Sequence, residues 1–262
     1  MAAMETPARR QLGVLLALVL AYALLAFVAY AFIPFGQLLA PGQAPPPTLS
    51  SAPRWLIGLA TGGGVFLIYG LMGLGGWWFA RRLGLPGVFR EGAGWRQWFL
   101  GPLLLGLGVG TMLVAADRLF TAAGSPLRIP HPAFPFSPIA SASAAIGEEI
   151  LFRSLLMGLW AFLLTLALRR WKATRAALWA GNVVAALLFS AGHLPAAMLF
   201  LGVQSPRAVP PLALGELLVL NCLVGLVAGE RYLRDGLVAA VGVHLWADVV
   251  WHVIWPVLGG RT

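Results

Sequence analysis

The chain has 262 residues, 60% of them hydrophobic and only 10% charged, and a mean hydropathy of +0.84. A soluble domain carries about 25% charged residues, so this composition excludes a soluble fold and points to an all-α, polytopic transmembrane bundle. The formal net charge of +9 is not that of a nucleic-acid binder, because the bases, all arginine except Lys172, stand between apolar runs, where a membrane protein keeps its topological charges.

A spanning helix needs about 20 apolar residues, and about seven such runs are predicted, within a range of six to eight. Leu12–Phe35 follows Arg9 and Arg10 and is longer than the about 7–15 apolar residues of a signal peptide, so it is expected to stay as a helix. Trp55–Ala80, Trp98–Ala116, the over-long Ser137–Leu168, Ala176–Val203, Leu212–Gly229 and Leu237–Leu258 follow. The alternating pattern of a β-barrel is absent. Residues 1–136 hold the first three helices and 137–262 the polar motifs, together forming a single membrane domain. With the N-terminus in the cytoplasm, the cytoplasmic segments hold twelve basic residues and the outer ones five. This is the positive-inside pattern of a multi-pass protein of the cell inner (cytoplasmic) membrane. The heavy use of Ala, Gly, Leu and Arg suggests a bacterial genome rich in G and C.

Two outer segments are rich in proline, APGQAPPPTLSSAP and SPLRIPHPAFPFSP. Proline halts helices, so both read as connectors, and His131 in the second reads as a loop histidine. Gly62–Gly63–Gly64 and Gly73, Gly75–Gly76 read as close helix packing. Cys222 is the only cysteine, so no intrachain disulfide exists and a thiol protease is disfavoured.

Against this apolar background, six ionisable residues stand out on three runs: Glu148, Glu149 and Arg153, then His193, then His244 and Asp248. A charge in a bilayer core costs about 3 kcal/mol or more, so these read as one buried polar site. Residues four apart share a helix face, which pairs Glu149 with Arg153 and turns Glu148, about 100° away, elsewhere. The unpaired Glu148 is the candidate general base for water, while Glu149 and Arg153 either lock the packing or support the chemistry. His193 follows Phe189 by four, and His244 precedes Asp248 by four. The second spacing lets the carboxylate orient the imidazole through its ring N–H. His252, between Trp251 and Trp255, reads as part of an interfacial aromatic belt outside the site.

Glu148-Glu149-x-x-x-Arg153, Phe189-x-x-x-His193 and His244-x-x-x-Asp248, in that order on successive apolar runs, resemble the CPBP family over about residues 137–252. These are intramembrane proteases related to type II CAAX prenyl endopeptidases and to bacteriocin-processing and immunity proteins. The resemblance implies that Glu148 and His193 activate a water, and that His244 and residue 248 lie near the carbonyl oxygen. The family pattern has Asn where this chain has Asp248, and an ionised carboxylate cannot donate to an oxyanion. Either Asp248 is protonated, or it only orients His244, or Glu148, His193, His244 and Asp248 hold a zinc ion; the metal-free form is the one favoured.

The expected activity is endopeptidase cleavage of a membrane-associated peptide or protein. The alternatives are a non-catalytic immunity or scaffolding protein on the same fold and a proton-coupled transporter, the last disfavoured by the absence of internal repeats. One depth conflict follows from the spans. At a rise of about 1.5 Å per residue, Glu148 stands roughly 30 Å from the cytoplasmic end of its helix and His244 about 11 Å from its own. Either the fourth helix protrudes into the cytoplasm or the seventh starts earlier.

Overall fold

The computed structural model describes residues 2–34 and 52–258. Most of the first proline-rich segment, Phe35 and Arg261 lie outside them. The described residues form helices and connecting turns, with no strand among them. Seven helices are long and apolar enough to cross a membrane: α1 (Pro7–Phe32), α2 (Arg54–Leu83), α3 (Arg96–Ala122), α4 (Phe136–Ala167), α5 (Thr174–Leu201), α6 (Pro211–Asp235) and α7 (Leu237–Val257).

Two helices outrun the apolar stretches that announce them. α6 continues past Gly229 to Asp235, because the charges at its end satisfy one another. Arg231 lies 2.6 Å from Glu230 and 3.2 Å from Asp235, and Arg234 pairs with Glu230. α3 continues past Ala116 to Ala122, and Asp117 within that extension is 1% exposed. A charge marks a helix end only when nothing in the fold pairs or covers it, and here Arg231 and Asp235 are paired and Asp117 is covered.

Helix packing follows small residues. A side chain at Gly62 would come within 2.8 Å of the Ala23 carbonyl, so α1 and α2 touch backbone to backbone there. Gly63 and Gly64 face open space, so only the first glycine of that run is a packing residue. Gly106 and Gly110 bring α3 against α7, where a side chain would meet the carbonyls of Val243 and Ala247 at 2.6 and 2.7 Å. Tyr22 on α1 lies over Gly147, one residue before the acidic pair on α4.

The segment 84–95 folds back into one end of the bundle and forms a floor. Val88 and Phe89 are buried, and Gln11 accepts from Val88 N at 2.8 Å while donating to Phe89 O at 2.7 Å. Leu237 N donates to Gly87 O and Val238 N to Val88 O, at 3.0 and 2.9 Å. These are first-turn donors that a helix cannot satisfy itself. α7 therefore starts inside the bundle, on this floor, with Gly236 alone between it and α6, whereas α4 has 32 residues to the 21 of α7 and runs past it.

That resolves the depth conflict. Measured from the opposite end, where the proline-rich strap 123–135 lies, Glu148 is about 18 Å deep, His193 about 12 Å and His244 about 20 Å at 1.5 Å per residue. All three motifs meet in the half of the bundle nearer the strap.

Candidate active site

α4 changes its winding at the acidic pair. It is α-helical to Glu148, adopts the wider π winding from Glu149 to Met157, and returns to α at Gly158. α7 does the same directly after Asp248, with π winding over Val249–Ile254. Such turns occur often at functional sites because they re-aim side chains that a regular helix would stack in register.

The two glutamates point to different surroundings. Glu149 is fully buried, with one carboxylate oxygen 3.2 Å from Arg153 Nε and the other 2.9 Å from His244 Nδ1. The pairing with Arg153 is the one expected from spacing. Arg153 is also fully buried and lies with its guanidinium 5.1 Å from the centre of the Phe189 ring. Glu148, 31% exposed at its side chain, faces a cavity. Its Oε1 is 4.0 Å from His193 Nε2 and its Oε2 is 3.7 Å from His244 Nε2.

Each imidazole is held at its far nitrogen. His193 Nδ1 lies 2.8 Å from the Phe189 carbonyl, an acceptor only, so Nδ1 carries the proton and a neutral ring leaves Nε2 as a lone pair toward Glu148. His244 Nδ1 is bonded to the Glu149 carboxylate, which by the same reasoning turns Nε2 into the cavity. The orienting partner of His244 is therefore Glu149, from another helix, and not Asp248. The Asp248 carboxylate stands 3.7 Å from Nε2, beyond hydrogen-bond distance. The i,i+4 spacing brings Asp248 near the ring, but on its cavity edge. Phe189 packs edge-on to His193, His244 and Phe152, with ring centres 4.7, 5.7 and 5.2 Å away, and fixes the tilt of both imidazoles.

The cavity measures about 200 Å³ and brings together Glu148, His193, His244 and Asp248 from three helices, walled by Leu113, Leu220, Val224 and Trp251. Three further wall residues were not foreseen. Asn221, on α6, lines it while donating one amide hydrogen to Leu217 O at 2.8 Å. Ile129 lines it from the strap. His252 lines it as well, correcting its assignment to an aromatic belt, and contacts His131 at 3.1 Å. The eight-residue spacing from His244 was the available signal; the flanking tryptophans masked it. Among the described residues, no group of three or more His, Cys, Asp or Glu side chains has the arrangement of a metal site.

Residues 130–250 match the profile of the family described as type II CAAX prenyl endopeptidase Rce1-like, and all three motifs fall inside that range. Over this range, which is less than half of the chain, the protein is similar to that family. The assignment agrees with the CPBP resemblance and covers α4 to most of α7; α1 to α3 lie outside the match. No curated protein and no solved structure matches the chain.

Proposed function

We propose that this Rce1-like protein is an intramembrane endopeptidase that hydrolyses a peptide bond of a membrane-associated peptide or protein, with a water activated by Glu148 and His193. The observation that carries this reading is the position of the Glu148 carboxylate, 3.7 and 4.0 Å from the inward-facing nitrogens of two histidines whose other nitrogens are already engaged. Separations of that length suit bridging by one water rather than direct hydrogen bonds. Glu148, aided by His193, takes a proton from the water as its oxygen attacks the carbonyl carbon. The carbon–nitrogen bond then breaks and Glu148 returns the proton to the leaving amine.

The oxyanion formed in between needs donors. Asp248 cannot donate when ionised; a protonated His244 and the Asn221 amide, which has a second hydrogen not engaged by Leu217, can. The chain's own side chains thus provide base, acid and oxyanion donors, and no step is routed through zinc. With the N-terminus in the cytoplasm of the inner membrane, as the arginine distribution favours, the floor faces the cytoplasm and the cavity lies toward the outer face.

The test compares membrane proteomes of cells carrying the unaltered protein and Glu148→Gln. The account expects new peptide termini that depend on Glu148. An identical set of termini, with both proteins folded and equally abundant, would favour a non-catalytic immunity or scaffolding role instead.

A further inference from the structure

The chain has four histidines. Two take no part in the reaction derived above, and these two touch each other. His131 Nδ1 and His252 Nδ1 are 3.1 Å apart, a distance that requires one ring to donate and the other to accept. His131 belongs to the strap and His252 to α7. His252 forms part of two cavities at once: the 200 Å³ catalytic cavity and a second one of about 420 Å³ nearer the strap end, bounded by Pro130, Phe134, Val253 and Pro256. His252 is thus the shared wall, and His131 lies against it on the side of the second cavity. The start of the strap is tied separately, by Ser125 donating to the buried Glu216.

We infer that the His131–His252 pair is a proton-operated latch that holds the strap between the two cavities. Parting it joins them into one cleft for the extended peptide segment beside the scissile bond. The peptide clause rests on the proteolytic reading; the latch itself does not.

The reason is the environment of His131. Its Nε2 is buried without a hydrogen-bond partner, and its ring packs edge-on to Trp251 at 5.2 Å. If His131 donates at Nδ1, a second proton must go to Nε2, where nothing accepts it. If His131 accepts at Nδ1, a proton there removes the lone pair that makes the contact. Burial accordingly holds His131 below the usual histidine range. Parting exposes the ring to water and removes that penalty.

The surrounding charges come from every neighbouring helix: His244 and Asp248 on α7, His193 on α5, Glu148 on α4, and Arg118 on α3, whose guanidinium lies over Trp255 at 5.8 Å. Glu216, on α6, meets the base of the strap. The carboxylates Glu148 and Asp248 line the catalytic cavity, on the inner side of His252.

The sign follows. The latched state binds the proton on His131 less tightly than the parted state. Latching is therefore fully favoured above the ordinary histidine value of about 6.5 and weakens by about tenfold per pH unit below it, until His131 titrates in place.

The experiment places a trifluoromethyl tag on Ala133→Cys in a Cys222→Ala background and records fluorine NMR in detergent from pH 8 to pH 5. The parted state is expected to grow as pH falls, as a separate line or as a shift toward the position seen in His131→Phe. His131→Phe should show that position at every pH; His252→Phe serves as a second variant if the first does not fold. A signal that ignores pH, or a pH response that survives both ring substitutions, overturns the latch. Because the readout involves no cleavage, a strap that titrates as expected in a protein that cuts nothing would keep the latch and remove the peptide clause.

Discussion

Two sets of acids lie toward the strap end of the bundle, one around a cavity and one buried between helices. In the first, Glu148, Glu149 and Asp248 meet two histidines and Arg153. In the second, Asp117 of α3 and Glu216 of α6 meet each other and Ser125, both carboxyls are at most 1% exposed, and each has an oxygen with no hydrogen-bond partner. The second set is a clasp between helices and strap, whereas the first surrounds open space. Burial of acids does not by itself make a catalytic site; acids that face a cavity beside histidines do.

The same substitution in each set separates them. Glu149→Gln keeps the volume but strands Arg153 as a buried cation and weakens the hold on His244. Breaking a buried pair typically costs about 3–5 kcal/mol, so thermal melting in detergent should show a large loss of stability together with loss of activity. The double variant Glu149→Ala/Arg153→Ala should recover part of the stability lost in Glu149→Ala without recovering activity, because His244 remains unheld. Simple additivity of the two stability changes would mean that the pair is not coupled.

Glu216→Gln should behave differently. An amide can accept from Ser125 and donate to Asp117, so the net change is that of one neutral hydrogen bond, about 1 kcal/mol, and cleavage should stay within about twofold of the unaltered protein. A loss as large as that of Glu149→Gln would erase the distinction drawn here.

The smallest effect concerns Asp248. Its carboxylate makes no hydrogen bond to His244, so Asp248→Asn should retain most of the turnover, and the added amide donor could only assist the oxyanion. Cleavage should also survive chelation. Stoichiometric zinc in the purified protein, with chelator-sensitive activity restored by zinc and a collapse in Asp248→Asn, would assign those side chains to a metal instead.

Much of the site was legible because its polar residues stand out from apolar runs. Glu148, Glu149, Arg153, His193, His244 and Asp248 all cost free energy in a membrane and carry helical spacing, so both their grouping and the Glu149–Arg153 pair could be read from the chain. What could not be read depends on how helices are cut and rotated. Asp117 looked like the end of a helix because nothing local reveals that Glu216, nearly a hundred residues later, will cover it. His252 looked interfacial because tryptophan favours both membrane boundaries and cavity walls. His244 and Asp248 share a regular α segment, but the ring's Nδ1 is taken by Glu149 of another helix, a contact that spacing within one helix does not reveal. The floor formed by 84–95 is polar enough to read as an ordinary loop, and its burial follows from the backbone donors of α7 that it satisfies.

The central claim is that Glu148 is the base and that the residues behind it only hold the histidines. It is tested most directly by reconstituting the unaltered protein and Glu148→Gln in vesicles with a substrate identified from the proteome comparison. Single-turnover cleavage should be measured beside thermal melting. The account predicts a fall of about 10²–10⁴-fold in the cleavage rate with an unchanged melting temperature, since Gln keeps the volume and Glu148 is not part of the buried ion pair. Cleavage by Glu148→Gln at a rate near that of the unaltered protein would contradict it.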